Sequence, residues 1–314
     1  MKVLLHMAAG PGLAARLAAL AAEDLQIAVC PEADETGFAA QMRETEVLWH
    51  VLKPLTAAML AGAPRLRLIQ KIGTGVNTID LDAARARGIA VCNLPGSNAP
   101  AVAEMTLLLM LAALRRLPLL DRATRAGRGW ALDAALQDGF AELGGRTVGL
   151  VGYGAVPRAL APVLGALGCP ILYTARTEKP DAIGDWRPLP DLLAEADVVS
   201  LHVPLTAATE RMIDAAALAR MRPGAVLVNT ARGGLIDQPA LVAALASGRL
   251  GAAGLDVFAE EPPAPHEALL RLDSVVLAPH VAWLTAGTFD RSFARAAENC
   301  RRLRDGRDLL NRVV

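Results

Sequence analysis

Short runs of aliphatic and β-branched residues alternate with Ala- and Leu-rich helical patterns along nearly the whole chain. The first series contains five predicted strands: Val3–Leu5, Ile27–Val29, Val47–His50, Leu68–Ile72 and Ile89–Val91. Helices predicted near 12–22, 36–43, 55–62 and 79–87 separate them. Strands that alternate with helices in this way form parallel sheets with helices on both faces. The alternation therefore predicts an α/β protein.

A second series of the same kind follows a turn-rich joint at residues 94–100. Its predicted strands are Thr147–Val151, Ile171–Thr174, Val198–Leu201, Ala225–Asn229, Gly251–Leu255 and Val275–Ala278. A chain of 314 residues is long for one hydrophobic core. We therefore expect two doubly wound parallel-sheet domains, Rossmann-like or flavodoxin-like, with a cleft between them. An amphipathic helix is predicted at about 287–304, near the end of the chain.

The charge balance limits the partners that we expect. Lys and Arg together number 32, as do Asp and Glu, so the formal net charge is zero. Such a balance offers no broad basic field for a nucleic acid or an anionic membrane. The longest strongly apolar helical run, Met105–Leu114, spans only about half of a bilayer. We expect no nucleic-acid or membrane partner, and four widely spaced cysteines indicate a reduced, cytoplasmic protein.

A glycine-rich turn occurs where the first strand of the second series should pass into a helix. Its sequence, at 149–157, is Gly-Leu-Val-Gly-Tyr-Gly-Ala-Val-Pro. The glycines permit a tight turn and let a pyrophosphate approach bare backbone at a helix N-terminus, where the N–H groups and the helix dipole favour an anion. The turn predicts a dinucleotide site at Gly152, Gly154, Ala155 and Val156. Pro157 replaces the usual third glycine, so we expect a slightly altered helix approach with binding retained.

The end of the next predicted strand bears on the choice of cofactor. An NAD site normally places an acidic residue about 20 residues further on, against the ribose 2′-hydroxyl. Here Ala175 stands at that position and Arg176 follows it. Loss of the carboxylate removes the repulsion of a 2′-phosphate, and a guanidinium can pair with that phosphate bidentately. These residues favour NADP over NAD; the alternative is that Arg176 stacks on adenine and both cofactors are accepted.

Three candidate catalytic residues follow later strands of the second series. They are Arg232 in Asn-Thr-Ala-Arg-Gly-Gly, Glu261 in Glu-Glu-Pro-Pro, and His280 in Ala-Pro-His-Val-Ala-Trp. The carboxyl ends of parallel strands form the ligand crevice of an open sheet, so the three side chains are expected to share one site. Taken singly, each would more often be solvated or structural.

Together these residue types fit the reduction of a 2-keto acid. The reaction needs a cation for the carboxylate and keto oxygen, and a proton donor at that oxygen. Arg232 offers a planar fork that suits a carboxylate. His280 is a natural acid near neutral pH, and a carboxylate at Glu261 would favour its imidazolium form.

The sequence as a whole resembles the D-isomer-specific 2-hydroxyacid dehydrogenase family. The matching stretches are Gly-Thr-Gly-Val-Asn-Thr-Ile-Asp (73–80), Asn-Leu-Pro-Gly-Ser-Asn-Ala-Pro-Ala-Val-Ala-Glu (93–104), Gly-Leu-Val-Gly-Tyr-Gly (149–154), Asn-Thr-Ala-Arg-Gly (229–233), Gly-Leu-Asp-Val-Phe-Ala-Glu-Glu-Pro (254–262) and Pro-His (279–280). They occur in the family's order and cover most of the chain. The resemblance implies an NAD(P)-dependent oxidoreductase that acts on CH–OH donors.

The resemblance also implies how the domains are divided. Residues 1–97, completed by 285–314, would form a substrate-binding lid that closes over a dinucleotide-binding Rossmann domain of residues 98–284. The helix predicted at 100–117 is apolar almost all round, so it must be buried between other elements or against another chain. The resemblance implies that this helix pairs two subunits into a homodimer.

Further site residues are implied only by the resemblance. Arg232 would hold the substrate carboxylate and polarise the carbonyl, His280 would be the acid/base, and Glu261 would be its partner. The loop of Thr74, Gly75 and Val76 would offer backbone N–H groups to the substrate carboxylate. Asp256 would orient the nicotinamide amide and Thr230 would lie along the cofactor.

Departures from the family's pattern leave the substrate open. Trp283, counted here as a substrate-binding residue, and Tyr-Thr-Ala-Arg at 173–176 resemble the glyoxylate and hydroxypyruvate reductase branch. Asn77, however, stands where many members have Asp, and the 73–80 loop resembles phosphoglycerate dehydrogenases equally well. Formate dehydrogenases resemble this branch with Gln at the position of Glu261, so the carboxylate argues against them. A non-catalytic NAD(H)-sensing protein is the alternative from another class.

The remaining histidines carry no comparable pattern. His6, His50 and His266 lack metal-ligand spacing, so no metal is expected. His202 follows a predicted strand and would border the cofactor without being catalytic.

Overall fold

The structure, a computed structural model, describes residues 1–21 and 25–314, with only the backbone of residues 135, 137 and 138. Two compact units make up the chain. The first comprises Met1–Asn98 and Leu284–Val314, and the second comprises Ala99–Trp283.

Strands and helices alternate in both units. The first contains β1 (Lys2–His6), α1 (Pro11–Ala21), β2 (Gln26–Cys30), α2 (Glu35–Met42), β3 (Val47–His50), α3 (Ala57–Ala61), β4 (Leu68–Lys71), α4 (Leu81–Ala86) and β5 (Ala90–Cys92). The second contains α5 (Ala99–Leu114), α6 (Leu117–Arg125), β6 (Val148–Val151), α7 (Ala155–Ala166), β7 (Ile171–Thr174), β8 (Asp185–Trp186), α8 (Leu189–Glu195), β9 (Val198–Leu201), α9 (Ala215–Arg220), β10 (Ala225–Asn229), α10 (Gln238–Ala246), β11 (Leu250–Leu255) and β12 (Val275–Leu277). The first unit ends with α11 (Ala286–Arg304). Short 3-10 helices occur at Ala134–Gly139, Gly233–Leu235 and Ala268–Arg271.

The first unit is built on a five-stranded sheet in the order β2-β1-β3-β4-β5, and every pair is parallel. Its central strands β3 and β4 are buried along their whole length, as expected of a sheet covered on both faces. The register aligns His6 with His50 and His50 with Lys71, so these three residues lie side by side at the carboxyl ends of neighbouring strands.

The second unit is built on a seven-stranded sheet in the order β12-β11-β10-β9-β6-β7-β8, again with every pair parallel. Helices α5 and α7 contribute to the hydrophobic core on one face, and α8, α9 and α10 contribute to the core on the other. The strand order reverses between β6 and β9, and ligands of open α/β sheets bind at the carboxyl ends beside such a switch point. Two parallel α/β sheets with helices on both faces confirm the predicted fold class.

The helix predicted at 100–117 was placed wrongly at its C-terminal end. Helix α5 ends at Leu114, and α6 begins at Leu117. Arg116 between them has a left-handed backbone with φ of 48°, which breaks the helix, and Pro118 lies in the first turn of α6. Strand β8, at the far edge of the second sheet, was not predicted because two residues carry no readable alternation.

Helix α5 is buried along most of its length, as its apolar sequence requires. Leu108 and Leu111 are nevertheless 52% and 40% exposed. Among residues 1–21 and 25–314, none of the helices combines the length and the hydropathy that a membrane span requires.

Candidate active site

The candidate catalytic residues lie in the loops that follow three neighbouring strands of the second sheet. Strands β10, β11 and β12 are adjacent and parallel, so their carboxyl ends lie at one edge of the sheet. Arg232 lies three residues after β10, Glu261 lies in the loop after β11, and His280 lies three residues after β12. The sheet order therefore brings these three loops to one place, as the sequence predicted.

His280 and Glu261 form a direct pair. The Nδ1 atom of His280 lies 2.7 Å from Oε2 of Glu261. The other carboxylate oxygen of Glu261 accepts the Phe258 N–H at 3.0 Å. Burial alone would raise the pKa of Glu261, but the hydrogen bond and charge of His280, the Phe258 N–H and the Arg232 charge together hold that pKa below its usual range. Glu261 is therefore a carboxylate that accepts from Nδ1 and leaves Nε2 of His280 for another partner.

Asp256 fixes the backbone on the far side of His280. This fully buried carboxylate accepts the N–H of Val281 at 2.8 Å and that of Ala282 at 2.9 Å, and its own carbonyl oxygen accepts the N–H of His280 at 2.7 Å. Burial raises the pKa of Asp256, while the two N–H groups act against that rise. His280 has a left-handed backbone with φ of 56°, which is uncommon for a residue with a side chain. Asp256 thus holds the strained backbone of His280, whose side chain contacts Glu261.

Arg232 lies in a tightly built turn after β10. Asn229 braces this turn, because its Nδ2 donates to the carbonyl of Arg232 at 2.8 Å and its Oδ1 accepts the N–H of Ala231 at 2.9 Å. Gly233 is required sterically, since a Cβ there would lie 1.9 Å from the backbone of Phe258. Burial lowers the pKa of the Arg232 guanidinium, and the Glu261 charge opposes this shift. The half-buried cation and the His280–Glu261 pair therefore act on each other electrostatically.

The glycine turn after β6 has room for a phosphate. Gly152 has φ of 97°, and a Cβ there would lie 2.7 Å from the carbonyl oxygen of His202, so only glycine fits. Gly154 is the N-cap of α7, and a Cβ there would meet nothing within 4 Å. The protein leaves space next to Gly154, where the helix N-terminus is followed by Ala155 and Val156. This is the arrangement that binds a pyrophosphate.

Pro157 is buried in the first turn of α7. A backbone N–H at this position has no intrahelical acceptor, so proline costs the helix no hydrogen bond. The helix forms with proline in place of the third glycine.

Other predicted cofactor residues lie on the same unit. Thr230 follows β10 directly, and its hydroxyl lies 2.9 Å from that of the buried Thr106 on α5. Arg176 lies just beyond β7 and is exposed. In the part of the chain that the structure describes, its guanidinium makes no hydrogen bond or ion pair.

The predicted substrate residues lie on both units. Trp283 is half-buried, and its Nε1 donates to the carbonyl of His280 at 3.2 Å. Thr74, Gly75 and Val76 belong to the first unit, in the loop after β4. The carbonyl of Thr74 accepts from the side chain of Asn93 at 2.8 Å. No acceptor for the N–H groups of Thr74, Gly75 and Val76 occurs among residues 1–21 and 25–314, so these groups are available to a ligand.

Three residues that support the loops of the candidate site were not predicted from the sequence. Asn229 and Thr106 brace the turn that carries Thr230 and Arg232. Lys71, only 3% exposed, donates to the carbonyl of Val51 and to the hydroxyl of Thr78 at 3.2 Å, and so spans the base of the loop 72–78. A lysine inside the predicted buried strand Leu68–Ile72 was a readable signal for Lys71. Nothing in the sequence pairs Thr106 with Thr230.

Within the described ranges 1–21 and 25–314, no group of three or more His, Cys, Asp or Glu side chains is arranged to hold a metal ion. Burial lowers the pKa of His202 to about 3, so its imidazole is neutral near pH 7.

Comparison with known proteins places this geometry in a family. The profile of the D-isomer specific 2-hydroxyacid dehydrogenase NAD binding domain matches residues 107–282. The chain is 38% identical over 286 residues to the glyoxylate reductase of Aeropyrum pernix, a match that covers 88% of this chain and 85% of that protein. A solved structure of similar fold is the NADPH-dependent glyoxylate/hydroxypyruvate reductase of Sinorhizobium meliloti in complex with NADP and malonate. It is 31% identical with a TM-score of 0.83, and the match covers 100% of this chain and 96% of that one.

A second group of relatives is longer than this chain. The D-3-phosphoglycerate dehydrogenase of Mycobacterium tuberculosis is 37% identical over 282 residues, which are 88% of this chain. The match covers only 50% of that enzyme, so this chain spans about half the length of the relative.

Proposed function

This chain belongs to the D-isomer specific 2-hydroxyacid dehydrogenase family, and we propose that it reduces a small 2-keto acid of the glyoxylate or hydroxypyruvate type, with NADPH preferred over NADH. Membership of the family makes the protein an oxidoreductase that uses a nicotinamide cofactor and acts on CH–OH donors. The observation that carries the proposal is the His280–Glu261 pair at 2.7 Å, formed next to the half-buried Arg232.

The proposed roles follow from this geometry. Arg232 binds the substrate carboxylate and polarises the carbonyl, because its planar guanidinium can pair with both groups. His280 gives a proton from Nε2 to the carbonyl oxygen, since Nδ1 is held by Glu261. Glu261 stabilises the imidazolium that gives this proton. A bound reduced nicotinamide would supply the hydride to the carbonyl carbon.

Further residues would orient the substrate and cofactor. We assign the N–H groups of Thr74, Gly75 and Val76 to the substrate carboxylate, and Trp283 to the wall of the substrate site. The glycine turn of Gly152 and Gly154, with Ala155 and Val156, would bind the cofactor pyrophosphate. Thr230 would lie along the cofactor and Asp256 would orient its amide. On this assignment the first unit is the substrate-binding domain and the second is the dinucleotide-binding domain.

The preference for NADP rests on two adjacent positions. Ala175 removes the carboxylate that would repel a 2′-phosphate, and the exposed Arg176 is available to pair with one. The related Sinorhizobium reductase is described as NADPH-dependent, which supports the assignment.

The alternative is activity of the phosphoglycerate-dehydrogenase type. The chain is 37% identical to the mycobacterial phosphoglycerate dehydrogenase and 38% identical to the Aeropyrum glyoxylate reductase, so sequence identity favours the two activities almost equally. A non-catalytic, nicotinamide-sensing protein is the second alternative.

We also propose a homodimer formed through α5. Leu108 and Leu111 on this helix, together with Leu117, are between 40% and 52% exposed, and a second copy of the chain would cover them. Four free cysteines, all buried, are consistent with a reducing, cytoplasmic location.

A panel of 2-keto acids, each assayed with NADH and with NADPH, tests the proposal. We expect glyoxylate or hydroxypyruvate to give the highest kcat/KM, with NADPH as the better reductant. His280→Asn and Arg232→Gln should bind the cofactor but lose turnover. A preference for 3-phosphohydroxypyruvate would favour the phosphoglycerate-type alternative, and cofactor binding without turnover of any keto acid would favour the sensing protein.

A further inference from the structure

Residues 175–184, here called the selectivity loop, join β7 to β8 and carry Arg176. A loop of this length without regular secondary structure is ordinarily mobile. Its end is set by Gly184, where φ is 110° and a Cβ would lie 2.5 Å from the carbonyl oxygen of Ile171. The chain therefore returns closely over β7, and the start and end of the loop lie on neighbouring strands.

The only two tyrosines of the chain both bind the backbone of this loop. The hydroxyl of Tyr173 accepts the N–H of Lys179 at 2.8 Å and donates to its carbonyl at 3.3 Å. The hydroxyl of Tyr153 accepts the N–H of Ile183 at 2.7 Å and donates to its carbonyl at 3.3 Å. Each hydroxyl thus uses both of its hydrogen-bonding roles on one residue of the loop.

The two tyrosines also support each other. Tyr153 and Tyr173 are 7% and 1% exposed, and their ring centroids lie 4.6 Å apart. Arg158 covers Tyr153 with its Cζ 5.4 Å from the ring centroid, and it forms a bidentate pair with Asp181 of the loop. The loop is therefore attached to the protein at Lys179, Asp181 and Ile183, and its first residue, Ala175, is bound through its carbonyl by Nε1 of Trp186 at 3.2 Å.

We propose that Tyr153 and Tyr173 are positioning residues that set the backbone of the selectivity loop and thereby place Arg176 to bind the 2′-phosphate of NADP. Bidentate recognition of a phosphate needs a guanidinium placed to within about half an ångström. Arg176 itself is exposed, so the required accuracy has to come from the backbone that carries it. The hydroxyls of Tyr153 and Tyr173 provide it. This inference rests on the proposed preference for NADPH.

A double-mutant cycle tests the inference. Tyr173→Phe and Tyr153→Phe keep the ring packing and remove one hydroxyl each, and both are made alone and together with Arg176→Ala. We expect each Phe variant to raise KM for NADPH relative to KM for NADH by about fivefold. This is the factor that one typical hydrogen bond contributes, and the bond that each hydroxyl accepts from the loop N–H is the shorter of its two. In the Arg176→Ala background the same changes should leave this ratio unaltered, because the guanidinium that they position is gone.

Amide hydrogen exchange supplies a readout that needs no cofactor. The N–H groups of Lys179 and Ile183 should exchange faster in Tyr173→Phe and Tyr153→Phe respectively, since each loses its acceptor. Thr45→Val removes a buried hydroxyl in the first unit, which donates to the carbonyl of Gln41 at 2.9 Å. This control should change neither the exchange at the loop nor the cofactor ratio.

The outcomes separate the two proposals. If Arg176→Ala alone leaves the NADPH:NADH ratio unchanged, the cofactor assignment fails and the positioning role fails with it. If Arg176→Ala lowers the preference for NADPH, but the Phe variants leave the ratio unchanged or change it equally in both backgrounds, only the positioning role is overturned. Slow exchange at Lys179 and Ile183 in the Phe variants would likewise overturn it.

Discussion

Replacing Glu261 with Gln tests the proposed catalytic pair of His280 and Glu261 most directly. Glu261 accepts two hydrogen bonds, one from His280 and one from the Phe258 N–H. Gln has one carbonyl oxygen and one NH₂ group, so it can accept from one of these donors and must turn its NH₂ toward the other. The variant keeps the size of the side chain and removes the charge that stabilises the imidazolium.

The expected effect can be worked from the strength of this bond. A hydrogen bond to a charged group contributes about 1.5–3 kcal/mol, and about 1.4 kcal/mol is a factor of ten, so its loss corresponds to a fall of about ten- to hundredfold in kcat/KM at high pH. Reduction requires the protonated imidazole. The high-pH limb of the kcat/KM profile should therefore move to lower pH in Glu261→Gln.

The assay is kcat/KM for the best keto acid across the pH range, with the reduced cofactor saturating. Glu260 provides the matched control, because it is the adjacent carboxylate and is exposed. Glu260→Gln should keep the wild-type profile. If Glu261→Gln folds normally and also keeps that profile, Glu261 is not the partner that stabilises the charged His280.

Two further predictions concern the assembly and the acid stability. Leu108→Asp combined with Leu111→Asp should convert the proposed dimer into monomers in sedimentation, whereas Val163→Asp, at a position 44% exposed on α7, should not. A dimer that persists in the double variant would exclude this face of α5. Burial lowers the pKa of His50 to about 3, whereas the histidine of the unfolded chain has a pKa of about 6.5. Between about pH 3 and about pH 6.5 the folded protein therefore binds fewer protons than the unfolded chain. The contribution of His50 to stability is full above about pH 6.5 and is lost as the pH falls toward about 3. When the pH is lowered from 6.5 to 5, the unfolding free energy of His50→Gln, measured by urea titration, should therefore fall by about 2 kcal/mol less than that of the wild type. His266→Gln should behave like the wild type. Equal losses in the wild type and in both variants would contradict the role of His50.

Much of the fold could be predicted because burial leaves a periodic record in the sequence. Strands such as Val47–His50 and Ile171–Thr174 have the predicted bounds, since fully buried parallel strands are short apolar runs between turn residues. The end of α5 was missed because Leu117 continues the apolar pattern. The helix ends instead at Leu114, two residues before the left-handed Arg116, a conformation that periodicity does not report.

The candidate site was likewise predictable in part. Residues that follow strand ends, such as Arg232 and His280, could be found because parallel strands bring their carboxyl ends to one edge. The strained backbone of His280 and its support by Asp256 could not be found, because they depend on how the loop after β12 folds back on the loop after β11.

The glycine turn and the end of β7 were interpreted as two separate signals, one for the pyrophosphate and one for the ribose. The structure joins them through side chains that neither motif specifies. Tyr153 occupies the variable position between Gly152 and Gly154, and its ring packs on Tyr173 at the other motif. A residue in the turn that we propose binds one phosphate therefore also holds the loop that would bind the other. Because the loop is held by this pair of tyrosines, whereas backbone N–H groups would bind the pyrophosphate, a change at Tyr153 should alter recognition of the 2′-phosphate more than recognition of the pyrophosphate.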